Sequence, residues 1–337
     1  MKIAYGENLL VRKRVVGLKR VAVLTSGGDA PGMNAAVRAV VRKGIYHGIR
    51  IYGVERGFAG LINGSPLNPL WLGSVADIIH RGGTILLTTR TPEFTAAANQ
   101  EKAADYLKAE GIDGLVIIGG GGSLCGALAL QRRGIKVVGI PATIDNDIAG
   151  TSSSIGFDTA VNTIVDAINR LRDTATSHER IFVVEVMGRE SGFIALAAGL
   201  AGGAETVLVP EIDYQLPEIC RRLMAGMERG KLHSIILVAE GAASGYQISE
   251  EIKEITGLET RVTVLGHLQR GGSPTAADRI LASQMGAEAI ERLRNGESGQ
   301  MIALEGGKLV GVPLKDILDV GKAFPEENYR LTRILSI

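Results

Sequence analysis

Two carboxylates, a hydroxyl and an amide fall within five residues at Thr143-Ile144-Asp145-Asn146-Asp147, shortly after four glycines, Gly119 to Gly122, and Ser123. If that segment is extended, side chains alternate with period two and Asp145 and Asp147 share one face. One carboxylate is then placed to act as a general base and the other as a metal ligand. The glycines follow the apolar run Val116-Ile117-Ile118 and precede a helical pattern. Without Cβ atoms the backbone comes close to a ligand and aims N–H groups at phosphate oxygens. Base, metal ligand and phosphate cradle together describe phosphoryl transfer.

Thr25-Ser26-Gly27-Gly28-Asp29-Ala30-Pro31-Gly32 supplies a second turn of this kind, although any strand-to-helix turn uses glycine and proline for backbone reasons. Met187-Gly188-Arg189 and His267-Leu268-Gln269-Arg270-Gly271-Gly272 each set a guanidinium beside a glycine turn. The planar fork of arginine meets phosphate oxygens in pairs. Singly, each arginine reads as a solvated charge, and His47, His80 and His178 read as structural. Gathered at strand ends, the arginines read as an anion site.

Strand ends must hold these groups, and the chain provides them. Short β-branched runs at Val21–Leu24, Ile49–Val54, Gly114–Ile118, Lys136–Ile140, Ile181–Val186, Thr206–Val209 and Ile235–Val238 alternate with helical stripes such as Met33, Ala36, Val37, Val40 and Val41. The alternation predicts an α/β fold of mainly parallel sheets. Ligands in such folds bind outside the carboxyl ends of the strands, where the glycine turns lie. A chain of 337 residues is expected to form two domains. No linker rich in proline or serine separates them, so the chain is expected to cross near Phe157 and return near Gln269, leaving the ligand in the cleft between.

Composition narrows the class. Forty-five glycines, 45% apolar and 4% aromatic residues describe a compact enzyme with many tight turns. A formal charge of +1 disfavours wholesale binding to nucleic acid or acidic membrane and leaves small anions as partners. Cys125 and Cys220 match no metal spacing; they fit a reducing compartment and are expected in the core. The run from Phe193 to Ala204 is too short to cross a bilayer. Met1 to Arg20 lacks the pattern of a secretory signal, so the cytoplasm is the expected location.

Leu24 to Ala35, Arg81-Gly82-Gly83-Thr84, Pro141 to Asp147, Glu185-Val186-Met187-Gly188-Arg189 and Arg261 through Pro274 together resemble the 6-phosphofructokinase family, bacterial ATP-dependent type, over about residues 20 to 320. The resemblance implies two Rossmann-like three-layer αβα domains with the active site between them. It divides the chain into an N-terminal extension (1–18), a larger nucleotide-binding domain (19–156 plus 269–319) and a smaller sugar-phosphate-binding domain (157–268 plus 320–337). It implies Asp145 as the base for the 1-hydroxyl of fructose 6-phosphate, with Thr143 on the moving phosphoryl group and Arg189 orienting Asp145 and the sugar. Gly28, Arg90, Thr91, Gly120, Gly121, Gly122 and Ser123 would line ATP, and Asp147 would hold Mg²⁺. Met187, Gly188, Glu240, His267 and Arg270 would bind the sugar phosphate, with Arg180 and Arg261 reaching it from a neighbouring subunit of a homotetramer. Arg38, Arg42, Arg172, Glu205, Arg229, Lys231 and His233 would form an effector site, in which Leu72 replaces an arginine.

Two departures stand out against that pattern. The family usually reads Gly-Gly-Asp-Gly where this chain has Gly119-Gly120-Gly121-Gly122, which removes one carboxylate from the metal site. Pyrophosphate-dependent relatives usually carry aspartate and lysine where Gly122 and Ala142 stand here, which favours ATP as donor; Glu55 occupies a place where an aromatic often packs near adenine. A weakly active regulatory paralogue and a pyrophosphate-dependent kinase are the alternatives. A dinucleotide-dependent dehydrogenase is disfavoured by Thr143 to Asp147.

Overall fold

The computed structural model describes residues 17–318 and 320–336; most of the extension expected at 1–18 lies outside them. The first part of the chain forms β1 (Arg20–Ser26), α1 (Met33–Tyr46), β2 (Arg50–Val54), α2 (Gly57–Asn63), β3 (Asn68–Leu70), α3 (Ala97–Ala109), β4 (Gly114–Gly119), α4 (Gly121–Gln131) and β5 (Val137–Pro141). The middle forms α5 (Phe157–His178), β6 (Ile181–Val186), α6 (Phe193–Gly202), β7 (Thr206–Leu208), α7 (Leu216–Glu228), β8 (Ser234–Ala239), α8 (Gly245–Thr256) and β9 (Thr260–Val264). The chain closes with α9 (Ala276–Arg294), β10 (Gln300–Glu305), β11 (Lys308–Pro313) and α10 (Glu326–Leu335).

Among the described residues two sheets form, one of seven strands in the order β11-β10-β5-β4-β1-β2-β3 and one of four in the order β7-β8-β6-β9. Each belongs to an αβα-type domain, and the strands β10 and β11 return to the first sheet after the second is complete. β4 and β5 are buried throughout, as near-continuous apolar runs require when helices cover both faces. Pairing is parallel except for β2 with β3 and β10 with β11.

Register places the working loops side by side. Ser26 pairs with Gly119 and Gly119 with Pro141, so the turns after β1, β4 and β5 leave the sheet together. In the second sheet Val186 pairs with Ala239 and Glu185 with Val264, which does the same for the turns after β6, β8 and β9.

Helices α1 and α9 pack against each other and share an ion cluster. Glu291 receives Lys43 Nζ at 2.7 Å, His47 Nε2 at 2.9 Å and Arg294 Nη1 at 2.6 Å. Burial pushes the Glu291 carboxyl up, but hydrogen bonds from Lys43, His47 and Arg294 outweigh it and hold the group down at about 2. A depressed carboxylate stabilises the fold above its unfolded pKa and loses that contribution as pH falls through its folded one. Glu291→Gln should therefore destabilise the protein at neutral pH by about 1 kcal/mol, allowing for screening at a partly exposed cluster. Thermal melts should show the gap closing between about pH 4.5 and pH 2; a gap independent of pH would contradict the assignment.

Candidate active site

The turns from both sheets enclose a cavity of about 590 Å³. From the first sheet it is lined by Gly28 and Asp29, by Arg90 and Thr91, by Gly120, Gly121, Gly122 and Ser123, and by Thr143, Asp145 and Asp147. Met187, Arg189, His267 and Arg270 complete it from the other side. Helix α4 starts at Gly121, so its first amides, which have no acceptor within a helix, stand at the cavity wall. Ser123 Oγ donates to the Ser26 carbonyl at 3.0 Å and ties this turn to the one after β1. Adding a Cβ at Gly119 would meet Ser26 O at 2.5 Å, which explains glycine there, whereas a Cβ at Gly121 or Gly122 meets nothing within 4 Å.

The segment Thr143 to Asp147 is not extended. Asn146 adopts φ +52°, and its side chain accepts from Ser154 N at 3.0 Å and donates to Ser152 O at 3.3 Å. Asp145 and Asp147 therefore reach the same cavity through a left-handed turn, rather than through the strand alternation expected from their spacing. Parallel pairing of Ala142 with Ile155 and antiparallel pairing of Ile148 with Gly321 stitch the loop at both ends.

Asp145 is 3% exposed. Its Oδ2 lies 3.4 Å from Arg189 Nε and accepts from Thr143 Oγ1 at 3.4 Å. Burial raises the Asp145 carboxyl above the ordinary range; Arg189 and the Thr143 hydroxyl oppose that rise, while Asp147 and Glu240 add to it. The result is a desolvated carboxylate, more basic than one in water, at the wall of the cavity.

Glu240 does not line the cavity. It holds the turn that does, its Oε1 accepting from Arg189 N at 2.8 Å and Gly188 N at 3.3 Å. Arg189 itself is left-handed at φ +54° and Gly188 has φ +149°, a backbone that this carboxylate bridge sustains. Across the cleft, Arg270 Nη2 donates to Asp29 Oδ2 at 2.6 Å.

Two expectations change. Cys125 is exposed and lines the cavity on α4 instead of lying in the core, whereas Cys220 is buried as expected. Glu55 binds Asn68 Nδ2 at 2.7 Å outside the cavity, and the apolar wall is Phe58 stacked on Phe94 with ring centroids 4.0 Å apart. Phe58 sits close under Gly126, where a Cβ would meet its ring at 2.4 Å. Neither phenylalanine carried a motif signal, although Phe94 lies three residues after Thr91. Lys322, near Asp147 but not among the cavity-lining residues, donates from Nζ to Ser152 O at 3.3 Å and lies 5.2 Å above the Phe193 ring. Burial pushes Lys322 down to about 8, against the pull of Asp147.

Arg180 and Arg261 stand apart from this cavity. Both pair with Glu259 beside β9, the edge strand of the second sheet. Glu205, Arg229 and Lys231 line a separate cavity of about 130 Å³, where Lys231 Nζ meets Glu205 Oε1 at 3.1 Å. Arg172 donates to the Gly202 and Gly203 carbonyls and His233 Nδ1 contacts Thr176 Oγ1 at 3.2 Å. Arg38 and Arg42 lie on α1, and Leu72 is 52% exposed.

The family model described as Phosphofructokinase matches residues 20–293. The chain is similar to the ATP-dependent 6-phosphofructokinases of Bacillus pumilus and Bacillus subtilis, at 58% identity over 320 residues, 95% of this chain and 100% of each relative. It is also similar to the crystal structure of Pichia pastoris phosphofructokinase in the T-state, with a TM-score of 0.85 and 33% identity, covering 98% of this chain and 38% of that one. The pyrophosphate-dependent phosphofructokinase of Marinobacter aquaeolei shares the fold at a TM-score of 0.82 and 23% identity, over 92% of this chain and 86% of that one.

Proposed function

The chain belongs to the phosphofructokinase family, and from that premise we propose how its cavity carries out the reaction. The protein phosphorylates fructose 6-phosphate with ATP as donor. The sugar 1-hydroxyl loses its proton to Asp145 as its oxygen attacks the γ-phosphorus; the bond to the β–γ bridging oxygen breaks, and fructose 1,6-bisphosphate and ADP result. Arg189 orients Asp145 and the sugar, Thr143 donates to the moving phosphoryl group, and Arg90 with the first amides of α4 absorbs charge on the nucleotide. Met187, His267 and Arg270 hold the sugar phosphate, and Glu240 serves it indirectly by fixing the turn at Gly188 and Arg189. The observation that supports this reading is the buried carboxylate of Asp145, held by Arg189 in the same cavity as the glycine amides.

Among the described residues no group of three or more His, Cys, Asp or Glu is arranged to hold a metal. Asp147, which lines the cavity, suits an ion that arrives on the nucleotide and takes its other ligands from phosphate and water. Mg²⁺ held by Asp147 would neutralise phosphate charge.

We place the domain boundaries at 19–156 plus 269–319 and 157–268 plus 320–337. The separation of Arg180 and Arg261 from this chain's cavity supports a homotetramer in which they serve a neighbour's sugar phosphate. The basic cavity at Glu205, Arg229 and Lys231 supports an effector site for a nucleoside diphosphate or phosphorylated acid, to which Arg38, Arg42, Arg172 and His233 contribute, and the cytoplasm is the proposed location.

A coupled assay with fructose 6-phosphate and either Mg-ATP or Mg-pyrophosphate tests the reading. ATP should support turnover and pyrophosphate little; the reverse order would overturn it. Gly122→Asp should raise the KM for ATP several-fold, because the new carboxylate enters the open space beside the phosphates. An equal rise for the sugar would argue against that placement.

A further inference from the structure

We propose that Asp278 and Thr159 are positioning residues for sugar-phosphate binding, holding the turn from Gly266 to Gly272 that presents His267 and Arg270 to the cavity. The inference rests on the reading of His267 and Arg270 given above.

Asp278 stands in the first turn of α9 and is 1% exposed. A buried carboxylate is expensive unless it is fully hydrogen-bonded. Asp278 spends its acceptors on another helix: Oδ1 accepts from Gly156 N at 2.8 Å, and Oδ2 accepts from Thr159 N at 2.8 Å and from the Thr159 hydroxyl. The N-terminus of α5 is thus capped from α9. Thr275, the N-cap of α9, returns the contact through its hydroxyl, which donates to Asp158 Oδ2 at 2.6 Å, while its amide donates to Thr159 Oγ1 at 3.1 Å. The cap of α9 itself is already supplied by Thr275, whose side chain accepts from Asp278 N. The carboxylate is therefore surplus to its own helix.

What it fixes is the floor under the sugar turn. Gly271 has φ +83°, and a Cβ there would lie 2.8 Å from Thr159 Cγ2 and 3.3 Å from Thr163 Oγ1. The Gly271 backbone rests directly on Thr159. Arg270 precedes it, donates from Nη1 to Gly271 O at 3.3 Å, and reaches across to Asp29. A shift of Thr159 moves Gly271, and with it the guanidinium.

Steady-state kinetics and calorimetric sugar-phosphate binding on the full-length enzyme test this with Asp278→Asn, Thr159→Val, Thr159→Ser and, for reference, Arg270→Ala. Asparagine keeps the shape but turns one acceptor into a donor, and valine removes the hydroxyl; each should raise the KM and Kd for fructose 6-phosphate about tenfold, the scale of a sub-ångström misplacement. The KM for ATP and the kcat at saturating sugar should stay within about twofold. Thr159→Ser keeps the hydroxyl that Asp278 fixes but gives up the Cγ2 methyl under Gly271, so its sugar KM should fall between wild type and Thr159→Val. Unchanged sugar affinity in both disruptive variants, or a parallel rise for ATP, would overturn the positioning role. If Asp278→Asn fails to fold, the valine and serine pair decides alone. An Arg270→Ala enzyme with unchanged sugar KM would overturn the reading of the turn itself; a raised value there with unchanged values for Asp278 and Thr159 variants sinks only the positioning role.

Discussion

Asp145→Ser should lower kcat by about 10²–10⁴-fold, the range lost with a general base, while the Kd for fructose 6-phosphate changes little. The magnitude follows from burial. At 3% exposure Asp145 has little access to water that would stand in for it, and its Oδ2 is directed by Arg189 and Thr143. Binding survives because the groups assigned to the sugar, among them His267 and Arg270, come from other turns. Loss of an interaction needed only in the transition state lowers kcat and kcat/KM together. Single-turnover rates with sugar-phosphate calorimetry check this; normal turnover with weakened binding would reverse the role of the residue.

Gly121→Asp should lower the Mg²⁺ concentration for half-maximal activity by at least about tenfold, equivalent to roughly 1.4 kcal/mol from one added carboxylate ligand. The fold is ready for it. A Cβ at Gly121 meets nothing within 4 Å, and the position opens α4, where a negative side chain is favoured by the helix dipole. Mn²⁺ binding to the enzyme–nucleotide complex, followed by electron paramagnetic resonance, should tighten in parallel. A rate that is unchanged or lower at every metal concentration, without tighter Mn²⁺, would show that the ion is organised without this position.

The parallel sheets and the glycine turns were legible because buried strands write themselves as β-branched runs ending in glycine. The stripe Met33, Ala36, Val37, Val40 and Val41 is buried as its spacing implies. Strands that violate the pattern escaped: β3 contains Pro69, which suits only an edge, and β9 is half polar. The β10–β11 hairpin was announced by Gly306-Gly307 between two extended runs and could have been read. Residue types pointed to Asp145, Asp147 and Arg189, which line one cavity, but not to how they meet. The turn at Asn146 depends on Ser152 and Ser154, several residues away, which spacing alone does not encode. Cys125 was misplaced for a related reason: a helix facing a cavity has an apolar stripe indistinguishable from one facing the core.

The return of β10 to the first sheet has a consequence for biosynthesis. Strand β5 pairs with β10 through Val138 with Gln300 and Gly139 with Met301. On a translating ribosome that flank of β5 lacks its partner for roughly 160 residues of further elongation, on the order of ten to thirty seconds at ordinary speeds. Throughout that interval β5 presents an unpaired flank, the kind of strand edge that favours association with other chains until Gln300 has left the exit tunnel.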